Sequence, residues 1–421
     1  MHRTLLTATT ALCGLTTMVL AETDRGAVLT TYADIAAAAY ADSLATAQEL
    51  QAAVEALIAD PSEATLTDAR AAWKAARVPY QQTEVYRFGN PMVDDWEGKV
   101  NAWPLDEGMI DYVDASYGGA TDANELAALN IIATPEPMIA GQTVDATSIT
   151  PDLIADTLNE ADGIETNVAR GYHAIEFLLW GQDLNGTEAG AGDRPWTDYA
   201  QGGDCTNGNC DRRADYLSAA TDLLVSDLEE MAALWATGGA ARAAVTEDVD
   251  AGLNAMLTGM GSLSYGEQAG ERMRLGLMLN DPEEEHDCFS DNTHMSHFYD
   301  GQGIWNVYHG EYTRTDGTKV DGPALADLVA EVDPALDEEL TAKLDTTMAA
   351  LGKIRDSAED GFAYDMMLAR GNAEGEALIM AAVDGLIDQT RSIERVVTEL
   401  GLDSIAFEGS DSLDDPDAVF Q

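Results

Sequence analysis

The sequence predicts an all-α protein of two helical bundles, with long ordered loops where the bundles meet. Three observations predict it. Apolar residues recur at three- to five-residue steps over several long stretches, no stretch sustains the alternation of a strand, and the polar connections are rich in Gly, Pro, Asp and Asn. At 421 residues the chain exceeds one small core and suits two domains of roughly 100–200 residues each. Its 46% hydrophobic and 23% charged residues are those of ordinary globular proteins, so it is expected to fold.

Residues 1–21 read as an export segment. Arg3 supplies the positive start, Leu5 to Leu20 the apolar stretch, and Val19-Leu20-Ala21 a small-residue cleavage site. Cys13 lies inside the apolar stretch after Leu12, which argues against a lipid-attachment signal, so simple cleavage before Glu22 is expected. No later segment is long and apolar enough to span a bilayer. The first helix carries the stripe Leu29, Tyr32, Ile35, Ala39, Leu44, Ala47, Leu50, Val54 and Leu57. Asp60-Pro61 stops it, and Ser62 caps a second helix through Trp73, Ala76, Tyr80 and Val85. Further helices are expected over about 157–181, from Tyr216 to Leu234, over about 253–279 and over about 378–400. Residues from Gly89 to about Thr150, and from Asn280 to about Gly322, read as long loops, kept ordered by aromatics such as Trp96, Trp103, Phe298 and Trp305. A faint echo between Trp103–Val113 and Asp300–Gly310 hints at a pseudo-repeat. The boundaries that follow are 22–203 and 204–402 for the two bundle domains, with 403–421 an acidic tail in which disorder is expected.

Charge excludes one class of partner. With 76 acidic against 22 basic residues the formal net charge is −54, and such a surface repels phosphate backbones, so no nucleic acid is expected to bind. Most of these carboxylates read as solvated helix faces suited to a salty medium, although some can attract a cation. In an oxidising compartment Cys205 and Cys210 are well placed to pair, while Cys288 is either a buried free thiol or a neighbour of the functional site.

The chemistry concentrates in two places. His173 and Glu176, three apart on a helix, share one face and can share a metal ion. On spacing alone the commoner outcome is a His–Glu hydrogen bond on a helix surface or at a packed seam. Gly171 adds weight, because a glycine within a helix usually permits close backbone approach. The second place is Glu283 to His297, which holds three of the five histidines beyond residue 21, with several acids and Cys288; it reads equally as a metal-ligand cluster or a solvated polar loop. Arg77 and Glu84, near the end of the second helix, are candidates for a carboxylate-orienting partner and a further metal ligand. The zinc-protease signatures HExxH and HxxEH are absent, as are a GxSxG elbow and a P-loop.

The segments GYHAIEFLLWGQD, RPWTDY, RRADYL, EHDCFSDNTH and GIWNVYHGEY, in that order, closely resemble the imelysin family, which includes iron-regulated protein A and proteins first described as insulin-cleaving peptidases. The resemblance implies two helical-bundle domains with a metal-related site where they meet, and its GxHxxE motif falls on Gly171, His173 and Glu176. The resemblance implies a secreted protein of iron acquisition, periplasmic or outer-membrane-associated, acting with an envelope iron-transport partner. It would bind iron or an iron-containing ligand between the domains, the metal held by His173, Glu176, Glu84 and His286, with Gly171, Arg77, Asp291 and His294 shaping the ligand site. Two rival readings are a zinc metallopeptidase with Glu176 as catalytic residue, and a non-catalytic scaffold or adhesion protein.

Overall fold

A computed structural model describes residues 23–420; the expected export segment lies outside the described residues. The protein is helical, with two antiparallel strand pairs of two and three residues each as its only sheets among the described residues. Helix α1, Arg25–Ala59, is capped by Asp24, whose carboxylate accepts the Gly26 N–H. The predicted stripe is buried from Leu29 to Leu57, except that Leu44 is only partly covered. A turn leads into α2, Glu63–Gln81, where Ser62 and Thr65 satisfy each other's main-chain N–H groups in a capping box. Helix α3, Gly171–Trp180, lies on α2, and α4, Cys210–Trp235, runs along α1 although it falls beyond residue 203. Tyr32, Tyr40, Tyr86, Trp96 and Trp235 interlock at the centre of this group, with Tyr40 stacked on Trp235 at 6.3 Å.

The second group begins with α5, Val249–Leu279, which widens to π-helical geometry over Leu263–Arg274. It continues with α6, Thr293–His309, α7, Pro334–Glu359, and α8, Ala373–Glu399. One contiguous apolar core runs through both groups, and α6 packs on α2 where they touch.

Four expectations need correction. The 280–322 segment is not a loop: α6 and the hairpin Glu311–Thr313/Lys319–Asp321 occupy most of it. Its sequence hides the helix because two low-propensity glycines serve packing. A Cβ on Gly303 would stand 2.7 Å from the Gln82 carbonyl oxygen, and one on Gly301 would collide with Leu351. The helix expected over 157–181 starts only at Gly171, because Glu160, Asp162 and Gly163 take positive φ and break a right-handed path. The two segments of the proposed echo adopt different structures: Trp103–Val113 is irregular around a short helix, Glu107–Ile110, whereas Asp300–Gly310 closes α6. The tail is ordered. Phe407, Glu408 and Ser410 lie against Gly261, Gly266 and Gly270 of α5, the Glu408 N–H donates to Ser262 Oγ (3.0 Å), and the Tyr265 hydroxyl donates to Asp414 (2.7 Å). Three glycines on one track let an acidic but Phe-bearing segment seat close to the helix, a signal composition alone does not carry. The expected disulfide is formed, with the Cys205 and Cys210 Cα atoms 6.0 Å apart.

Candidate functional site

The site assembles where α2, α3 and the loop before α6 meet. Every residue of α3 is buried, so the helix is apolar on all sides except at His173 and Glu176. Its first turn is fixed by Gly171, whose φ of +82° only glycine adopts cheaply, and whose missing Cβ would lie 2.5 Å from the Val100 carbonyl oxygen. That same oxygen accepts the Tyr172 N–H at 2.7 Å, and Trp73 donates its indole N–H to the Tyr172 carbonyl at 2.9 Å. The helix start is therefore clamped on two sides, and the i,i+3 pair is aimed at α2 and the 285–292 loop.

His173 is 1% and Glu176 0% exposed. His173 Nδ1 and Glu176 Oε2 are 3.0 Å apart, and Glu176 Oε1 accepts the Ser290 main-chain N–H at 3.0 Å. Both oxygens of Glu176 are thus engaged, while His173 Nε2 is buried without a partner. The His286 ring lies edge-on to His173 at 4.8 Å. Nitrogen donors of these two imidazoles and an oxygen of Asp287 all lie within 4.8 Å of one another. Asp287 Oδ1 accepts from Arg77 Nη2 at 2.8 Å, and its Oδ2 accepts from Asn292 Nδ2 (3.0 Å) and the Ser296 hydroxyl (2.5 Å). Arg77, itself buried, also donates to Asn101 Oδ1 at 2.6 Å and lies over the Tyr172 ring. Two N–H donors, Arg77 Nη2 at 3.4 Å and Gln81 Nε2 at 3.3 Å, face His286 Nδ1, so that nitrogen is the acceptor and the ring proton sits on Nε2.

Protonation follows from this arrangement. Burial, reinforced by the Arg77 cation, pulls His173 down to about 3, and burial with Arg272, His173 and Arg77 holds His286 well below its ordinary value. Burial alone would raise Asp287, but Arg77 and His173, with the hydrogen bonds from Ser296 and Asn292, bring it down to about 2. Burial and the Asp287 charge push Glu176 well above the usual carboxylate range. At neutral pH the cluster therefore offers two neutral imidazoles and one ionised carboxylate, the forms in which these groups bind metals.

The other expected site residues are distributed around this centre. Glu84 is held by Arg272 at 2.6 Å, within a buried network that includes Asp300 and Glu267. His294 pairs with Glu359 of α7 at 3.3 Å. Asp291 faces Asp183 and Asp365. Cys288 keeps its proton, since burial pushes the thiol up. Asp287, Gln81, Asn101 and Ser290 were not singled out from the sequence. Asp287 adjoins His286 among many acids, and nothing local marks it until Arg77 is seen to pair with it.

Comparison with known proteins agrees with this architecture. The imelysin family model matches residues 36–393. Iron-regulated protein A of Synechococcus elongatus is 34% identical over 67 residues, which are 16% of this chain and 19% of that protein, so the alignable stretch spans less than a fifth of the relative. A protein described as an iron-regulated protein A precursor, from Parabacteroides distasonis, superposes with a TM-score of 0.64 at 20% identity, covering 89% of this chain and 95% of that one. An imelysin-like protein from Psychrobacter arcticum gives a TM-score of 0.61 at 15% identity, over 92% and 100% of the two chains. At such identities the structures speak for the fold alone. With most of its length matched by the family model, and with a helical architecture shared with both neighbours, this chain belongs to the imelysin family.

Proposed function

We propose that this protein binds iron, or an iron-containing ligand, through His173, His286 and Asp287, in the service of iron acquisition in the bacterial envelope. The observation that carries the reading is the convergence of two neutral imidazoles and one ionised carboxylate within 4.8 Å. Two histidines and one carboxylate suit ferrous iron and leave coordination positions open for an exogenous ligand. In this reading Glu176 orients His173 through Nδ1, the nitrogen that lies 4.0 Å from Asp287 Oδ1, and Asp287 takes the ligand role that the sequence suggested for Glu84. Arg77, paired with Asp287, is the group with which a cation competes, and Gly171 holds the helix start in place. Asp291 and His294 flank the centre without entering it.

The names of the iron-regulated relatives support the iron theme. No helix among the described residues is long and apolar enough to cross a membrane, which accords with a secreted protein. The periplasmic location, an envelope transport partner, and the division into domains 22–203 and 204–402 belong to the same proposal. Titrating the purified protein with ferrous iron under anaerobic conditions tests it. Stoichiometric binding is expected, lost in His173→Ala and Asp287→Asn and retained in Glu84→Gln. Unchanged affinity in the first two variants overturns the assignment. Chelator-sensitive peptide cleavage that disappears in Glu176→Gln would replace it with the metallopeptidase reading.

A further inference from the structure

A second group of carboxylates lies on the other side of the 281–292 loop, outside the His173 cluster. Asp183 follows α3, Asp291 precedes α6, and Asp365 sits on the short helix Tyr364–Leu368 between α7 and α8. One oxygen from each lies within 4.8 Å of the other two. A charged surface such as this one produces acidic neighbours by chance, but Asp365 is not a surface residue. It is 2% exposed, and neither of its carboxylate oxygens has a hydrogen-bond partner. A buried carboxylate with all its acceptor sites open is costly unless a donor or a cation meets it. Asp291 repeats the pattern with a buried, unpartnered Oδ1, presented from a backbone at φ +51° that a non-glycine residue seldom takes. Asp183 spends only Oδ1, on the main-chain and side-chain N–H groups of Asn185 at 2.8 Å each.

The basic group that reaches this cluster is Lys74, which acts on Asp291 but is tied to the Ser290 carbonyl at 2.9 Å. One ammonium cannot balance three carboxylates. We infer that Asp183, Asp291 and Asp365 form a binding site for a hard divalent cation such as calcium, which ties the chain after α3 to the loop before α6 and to the α7–α8 connection. The donors are oxygens only, which suits a hard ion and not a soft one.

The test is calorimetric titration of chelator-stripped protein with calcium chloride, at about 0.15 M salt so that diffuse surface charge is screened. One saturable site is expected in the unaltered protein, weakened roughly tenfold or more in Asp365→Asn and in Asp183→Asn. The same site should survive in His173→Ala, which separates this inference from the iron reading. Calcium should also raise the melting temperature of the unaltered protein and not that of Asp365→Asn. Should Asp365→Asn fail to fold, Asp183→Asn, on a partly exposed loop, decides the matter. Absence of saturable calcium binding, or equal binding in both Asn variants, overturns the inference.

Discussion

Replacing Gly171 by Ala isolates what the glycine of GxHxxE contributes. Two costs add. At φ +82° an alanine bears left-handed strain of about 1–2 kcal/mol. Its Cβ would also stand 2.5 Å from the Val100 carbonyl oxygen and 2.7 Å from its carbon, both main-chain atoms that cannot swing aside. Relieving that contact means moving α3 or the Val100 segment, an overpacking cost of about 1–3 kcal/mol. The sum is about 2–5 kcal/mol, read from urea unfolding followed by far-ultraviolet circular dichroism. Gly371→Ala supplies the reference: its φ is +81°, but nothing lies within 4 Å of the added Cβ, so only the strain remains. The excess for Gly171 should be about 1–3 kcal/mol. Because the displacement is at the N-terminus of α3, iron affinity should fall as well. Equal destabilisation of the two variants, with iron binding intact, would refute the argument that close approach to Val100 requires the glycine.

Two further variants probe the buried charges. Arg77→Met leaves Asp287 buried without its cation and should cost about 3–5 kcal/mol, most of it recovered in the double variant with Asp287→Asn; a double variant no more stable than the single would show that the ion pair is not the cause. Glu97, pushed up to about 7 by burial and by Glu84, has a native-state value above its unfolded value of 4.5. Its stabilising contribution is therefore complete below pH 4.5 and lost as the pH rises through 7, at no more than about 1.4 kcal/mol per pH unit. Glu97→Gln should flatten the urea midpoint across that window, and an unaltered pH slope would contradict the assignment.

The legible parts of the molecule were those in which one residue type repeats along one helix. The α1 stripe from Leu29 to Leu57 and the Ser62 cap declared themselves because helix periodicity and capping are local. So did the His173–Glu176 pair, whose spacing alone puts both side chains on one face. Helix α6 was illegible because Gly301 and Gly303 look like loop residues until Leu351 and Gln82 are seen against them. The same holds for Asp287: its role depends on Arg77, 210 positions earlier, and no window of sequence contains both. Glu84 shows the converse. Its position near Arg77 suggested a shared ligand site, but Arg272 from α5 claims it.

Ser290 and Asp291 are consecutive residues that look in opposite directions. The main-chain N–H of the first grips Glu176, and the carboxylate of the second faces Asp183 and Asp365. One peptide unit therefore stands between two prospective ion sites, too short a lever to move at one end without moving at the other. Thermodynamic reciprocity gives this a measurable form: whatever factor calcium applies to iron affinity, iron must apply to calcium affinity. A cation abundant outside the cell would then set the threshold at which a scarce one is captured.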